Sequence, residues 1–165
     1  MYYAVLIDSE YSDRFLRTTG SAAARDNGAS QAVLHAAFDA IVQGNFDAFA
    51  QSLTEDVELN ISGFAASGLG VLDGSWRGRD AVVAATRKNF GLLGEQKPEI
   101  ESMVSQGDSI AVLLRESGIF NSNGQAYSVR GVEWFTFAEG KIKKIDEVIA
   151  SDGIVGSQPA SGSTS

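Results

Sequence analysis

The stretch Tyr127-Ser-Val-Arg-Gly-Val-Glu-Trp-Phe-Thr-Phe137 decides the fold. Its β-branched and aromatic residues read as a strand, and a strand sends successive side chains to opposite faces. One face then carries Tyr127, Val129, Gly131, Glu133, Phe135 and Phe137. The other carries Ser128, Arg130, Val132, Trp134 and Thr136. The first face is the more apolar and belongs against a core, yet a carboxylate sits in its middle. A buried acid is costly unless it is paired, neutral, or set against a cavity. Glu133 is therefore the residue that the rest of the chain has to explain.

Outward from this strand the pattern stays extended. Ile100–Ser105 and Ser109–Phe120 precede it, separated by a Gly-Asp turn, and Lys141–Ala150 follows the turn at Glu139-Gly140. Before them the spacing is helical. Ser30 reads as an N-cap for a helix with Val33, Leu34, Ala37, Phe38 and Ile41 on one face, stopped at Gly44. Asn45 caps a shorter helix bearing Phe46, Phe49, Ala50 and Leu53. Val57, Leu59 and Ile61 alternate with polar residues as a strand. A Gly-rich loop over Ser62–Ser75 then leads to a third helix, roughly Asp80–Leu93. The chain divides into an N-terminal arm and linker (1–29, with Tyr2–Ile7 as one short strand), a domain (30–150) and a low-complexity, disordered tail (151–165). The expected class is α+β: three N-terminal helices packed on a strongly curved, mainly antiparallel sheet that forms a cone-shaped pocket.

Composition narrows the function. A length of 165 residues supports one core without staples. With no cysteine and one histidine, thiolate and multi-histidine metal sites are excluded. The net charge of −8 argues against nucleic acid or an anionic membrane as partner. No apolar run is long enough to span a membrane, and Asp8 interrupts the one segment that could begin a secretory signal. A cytoplasmic protein with no metal and no cofactor is expected. Gly63–Gly74 lacks the Lys-Ser/Thr of a phosphate loop and reads as a lid or entrance. His35 and Asp39 are spaced for a surface pair on one helix. Arg79 and Asp80, at a helix start, read as structural.

Three phrases carry a resemblance: Leu53-Thr-Glu-Asp-Val-Glu-Leu59, Trp76-Arg-Gly-Arg-Asp-Ala-Val82 and Val132-Glu-Trp-Phe-Thr-Phe-Ala-Glu-Gly-Lys-Ile142. Together with the element order they resemble the nuclear transport factor 2-like superfamily in its SnoaL-like branch, over about Gln31–Ala150. That family includes ketosteroid isomerases, limonene epoxide hydrolases, polyketide cyclases, dehydratases and non-catalytic ligand-binding or association domains. In the isomerases the acid of an acid-x-Phe-x-Phe strand donates a hydrogen bond in an oxyanion hole, and the matching residue here is Glu133. Their first-helix tyrosine and first-strand aspartate are replaced by Ala37 or Phe38 and by Asn60 or Ile61. The arginine phrase of the epoxide hydrolases resembles Arg115-Glu-Ser117, and their last-strand aspartate resembles Glu147. Their second aspartate is replaced by Ser117.

The resulting expectation is a SnoaL-like enzyme performing cofactor-free acid/base chemistry of isomerase, cyclase, hydratase or epoxide-hydrolase type on a modest apolar molecule. Glu133, Arg115 and Glu147 are the catalytic candidates. Phe38, Leu59, Ile61, Tyr127, Val129 and Phe135 are the pocket candidates. The alternative is a non-catalytic ligand-binding or association domain of the same fold. Arg115 has two readings. A two-residue Asn123-Gly124 turn sets Glu133 opposite Leu114 and turns Arg115 outward. A three-residue turn sets Arg115 opposite Glu133. The reverse of the strand, with Arg130, Val132 and Trp134, is too apolar for water and is expected to form a homodimer.

Overall fold

The computed structural model describes residues 23–64 and 72–150. The elements run α1 (Ala23–Val42), α2 (Phe46–Gln51), β1 (Leu53–Ser62), β2 (Gly74–Arg77), α3 (Arg79–Leu92), β3 (Leu93–Gln106), β4 (Ser109–Phe120), β5 (Ala126–Ala138) and β6 (Lys141–Ala150). The strands form one open six-stranded sheet in the order β2-β1-β6-β5-β4-β3. Every neighbouring pair is antiparallel except β1 with β6. The α+β class therefore holds. The helices are not all N-terminal, because α3 falls between β2 and β3.

Several boundaries differ from the sequence reading, each for a local reason. Helix α1 begins at Ala23, not behind Ser30. The strong helix preference of its alanines outweighs the roughly 1 kcal/mol cost of Gly28 inside the helix. Asn45 does cap α2, its side chain accepting from the Ala48 amide at 3.1 Å. Leu53 leaves that helix and starts β1, fully buried. Four residues taken as the end of a loop and the start of a helix phrase form β2, with Trp76 opposite Leu59. Strand β3 starts seven residues before Ile100, at Leu93, and tolerates Pro98 because it lies at the sheet edge. Tyr2–Ile7, most of the arm and linker, and the tail lie outside the described residues.

The hairpin between β4 and β5 answers the question about Arg115. Neither proposed turn forms. The Phe120 amide donates to the Gln125 carbonyl at 2.9 Å, so a four-residue loop, Asn121–Gly124, closes the hairpin. Glu133 consequently lies opposite Val112, and Arg115 lies opposite Arg130. The register is displaced by two residues from the tight-turn expectation, an even step that leaves every side chain on its expected face. Ile110, Val112 and Leu114 are buried inward; Arg115 faces out.

Two bulges in β3 adjust its side chains. The register with β4 shifts between Gly94 and Lys97, where Glu95 takes φ 50°, and again between Ile100 and Ser102. A bulge re-aims the residues it contains. The first brings Glu95 and Gln96 to the cavity, and the second brings Glu101 to the outer face beside Arg115 and Arg130.

Candidate functional site

Between the helices and the inner face of the sheet lies a cavity of about 570 Å³. Helix α1 supplies Leu34, Ala37, Phe38 and Ile41 to its wall, α3 supplies Thr86, Asn89 and Phe90, and the strands supply the rest. Phe38 meets Phe135 edge-on, with ring centroids 5.8 Å apart, which fixes one wall. Leu59, Ile61, Tyr127 and Val129 also line it, so all six pocket candidates meet in one space.

Glu133 and Glu147 enter this cavity side by side, because they are direct cross-strand partners on β5 and β6. The remaining accessible surface of Glu133 opens onto the cavity, while protein surrounds it on the other sides. Among the described residues no hydrogen bond or ion pair reaches its carboxylate. Burial, then the nearby charges of Glu147 and Glu116, holds the Glu133 carboxyl well above the usual carboxylate range. Glu147 is pushed up to about 7 by burial first and by Glu116 and Asp73 next. Two carboxylates so placed cannot ionise together cheaply, so their protons leave in two steps that belong to the pair.

A third acid was missed from the sequence. Glu116, on β4, lines the cavity and accepts a hydrogen bond from the Tyr127 hydroxyl. Burial raises its pKa, partly offset by Tyr127 and Gln96. The alternation that turned Val112 and Leu114 inward continues to Glu116, and that was the available signal. Tyr127 can reach it because its ladder partner is Gly118, where a Cβ would meet the Tyr127 ring at 2.9 Å and the Gly94 carbonyl oxygen at 2.6 Å. Gln96 turns its amide toward the same pair, close enough to offset the shift of Glu116, although among the described residues its buried Nε2 closes no hydrogen bond of good geometry. Nothing in the sequence foretold Gln96, since a bulge places it.

Arg115 does not join this site. It lies on the outer face, where its Nε donates to Glu101 at 2.9 Å and Arg130 Nε donates to the other Glu101 oxygen at 2.7 Å. The carboxylate thereby bridges two arginines that oppose each other across the ladder, and they hold its pKa below the ordinary range. Among the described residues the expected His35–Asp39 pair is not formed, and His35 Nδ1 has no hydrogen-bond partner. Arg79 is structural as expected, joining Glu55 at 2.7 Å and the Leu53 carbonyl at 3.0 Å. Among the described residues no three His, Cys, Asp or Glu side chains are grouped to hold a metal ion, and no helix is long and apolar enough to cross a membrane.

The fold and cavity define an α+β domain of the kind that walls a small-molecule-sized space between helices and one sheet. The model of the SnoaL-like domain matches residues 34–145, and the chain belongs to that family. A solved nuclear transport factor 2-like protein from Burkholderia xenovorans shares its fold, at 21% identity and a TM-score of 0.63, over 74% of this chain and 90% of that one. An epoxide hydrolase of M. tuberculosis, of the limonene epoxide hydrolase-like type, matches at 15% identity and a TM-score of 0.60, over 74% of this chain and 84% of that one. No curated protein matches by sequence.

Proposed function

We propose that the protein is a small-molecule enzyme whose own carboxylates carry out acid/base chemistry on a modest apolar substrate held in the cavity. The observation that carries this reading is Glu133: an acid with no partner among the described residues, opening into an apolar space directly across the ladder from a second acid, Glu147, whose pKa is raised by a different set of neighbours. Neighbouring acids with separated pKa values divide naturally into a donor and a base. Glu133, whose carboxyl is held well above the usual carboxylate range by burial and its acid neighbours, donates a proton to an oxygen of the substrate. Glu147, about half ionised near pH 7, takes or returns a proton. The chemistry is of the isomerase, cyclase, hydratase or epoxide-hydrolase kind. Arg115 has no part in it, because it faces away.

The reading also includes a homodimer through the outer face, where Val132, Trp134 and Val148 are 41%, 44% and 55% exposed. Such a surface is costly to leave in water and is framed by Arg130 and Asp146.

Hydrogen–deuterium exchange at carbon tests the reading without knowledge of the product. A panel of small apolar ketones is incubated with the protein in D₂O and followed by NMR. Accelerated exchange at the carbon next to the carbonyl, reduced ~10²–10⁴-fold in Glu133→Gln, is the expected result. Ketones that bind without exchange would instead favour a non-catalytic ligand-binding domain.

A further inference from the structure

The charge of the cavity wall is one-sided. Its charged lining residues are Glu95, Glu116, Glu133 and Glu147, and among the described residues no Lys, Arg or His lines it. The helices add no titratable group, since α1 contributes apolar residues and α3 contributes Thr86, Asn89 and Phe90. Glu95 is exposed, so three of the acids matter inside, with Tyr127 beside Glu116 and Asp73 near Glu147. Several acids outside the cavity have cations: Glu101 has two arginines, Glu55 has Arg79, and Asp146 has Lys144. Among the described residues Glu116, Glu133 and Glu147, inside the cavity, form no ion pair.

Two independent features point to a guest rather than to a merely acidic interior. Glu133 is largely buried and lines the space, with neither hydrogen bond nor ion pair among the described residues. Gln96 turns an amide toward the same space beside Glu116 and Tyr127, and among the described residues its Nε2 closes no hydrogen bond of good geometry. Among its aliphatic lining the cavity wall also carries the rings of Phe38, Phe90, Phe135 and Tyr127. Aromatic faces and carboxylates together are what an organic cation needs: the rings attract it through their quadrupoles, and the carboxylate pairs with its charge in a setting of low dielectric. The acids are too dispersed to grip a metal ion, which leaves an organic one. An anionic ligand would meet three acids and no counter-charge.

We infer that the cavity is built for an apolar molecule carrying a basic nitrogen, its ammonium seated between Glu133, Glu147 and Glu116 and its hydrocarbon body against the rings of the wall. This rests on the cavity being the working site, as proposed above, and adds the charge class of what it holds. Binding an ammonium requires an ionised carboxylate, so it releases a proton from the site below neutrality. Affinity therefore rises with pH as Glu147 ionises.

Calorimetry on the full chain tests this with three probes of one skeleton: phenylbutyl trimethylammonium, whose charge does not titrate, phenylbutanol and phenylbutyrate. The ammonium is expected to bind at least about tenfold more tightly than the alcohol at pH 8, and phenylbutyrate more weakly than either. Between pH 6 and pH 8 the ammonium affinity is expected to rise about tenfold while the alcohol affinity stays level. Glu147→Gln flattens that rise, and its retained binding of the alcohol shows that the cavity is intact. An alcohol that binds as tightly as the ammonium at pH 8, or an ammonium affinity indifferent to pH, overturns the inference and leaves the cavity as a site for neutral molecules. Failure of all three probes overturns the cavity as a working site and this inference with it.

Discussion

Glu133 on β5 and Glu147 on β6 face each other directly across an antiparallel ladder, and both side chains open into the same apolar cavity. Like charges placed so are destabilising. A protein that keeps them has two ways to live with the conflict: a counter-ion, or a proton. Within the cavity the second operates: burial and the neighbouring acids raise both carboxyls above the usual carboxylate range.

Stability should therefore fall as pH rises toward neutrality. Unfolded, Glu147 releases its proton near the ordinary value of 4.5; folded, it holds it to about 7. Its contribution is fully present below 4.5 and is lost as the pH passes through 7, a change of about 3 kcal/mol. Glu133 and Glu116, also raised, act in the same direction. Thermal unfolding from pH 5 to pH 8 should show a falling Tm in the wild type and a shallower fall in Glu147→Gln. A Tm that climbs over this range would show that the cavity acids are ionised in the fold.

Arg115→Ala should leave the activity at the wild-type level, because the sheet separates its guanidinium from the cavity acids. Glu101→Gln should lower the Tm by more than Arg115→Ala does. It removes the anion that neutralises both Arg115 and Arg130, whereas the arginine variant leaves one pair standing. Thermal scans beside the exchange assay separate these effects.

Tyr127 and Gly118 act as one device. Tyr127→Phe strips the buried Glu116 of a donor and should cost about 1–3 kcal/mol. Gly118→Ala drives a Cβ into the Tyr127 ring and the Gly94 carbonyl, for a similar loss. Since both variants break the same contact, denaturant unfolding of the double variant should show less than the sum of the two.

On the outer face, Trp134→Lys should yield a monomer by light scattering at micromolar concentration, where the wild type is expected to be a dimer. The fold should persist, since Trp134 is 44% exposed in the single chain. A wild type that is already monomeric would refute the interface.

Much of this was legible where residues alternate. The inward set of β5, from Tyr127 to Phe137, is buried or turned to the cavity, and the even positions of β4 follow the same rule. Carried one step past Leu114, the same rule turns Glu116 inward. What alternation cannot supply is irregularity. The four-residue loop at Asn121–Gly124 moved the register by two, and only its even parity preserved the faces. The β3 bulges gave Gln96 to the cavity and Glu101 to the two arginines, through backbone steps with no side-chain signature. Family likeness drew attention to Arg115, yet the likeness rests on a phrase, and the ladder placed that phrase outward.

The protonation state of Glu133 tests the account most directly. Carboxyl carbon-13 NMR of glutamate-labelled protein, assigned with Glu133→Gln and Glu147→Gln, follows each cavity acid from pH 4 to pH 9. The account predicts that the Glu133 signal remains that of a protonated acid at pH 7, while Glu147 titrates close to 7. If both acids are ionised by pH 5, Glu133 is an ordinary carboxylate and the proposed acid does not exist.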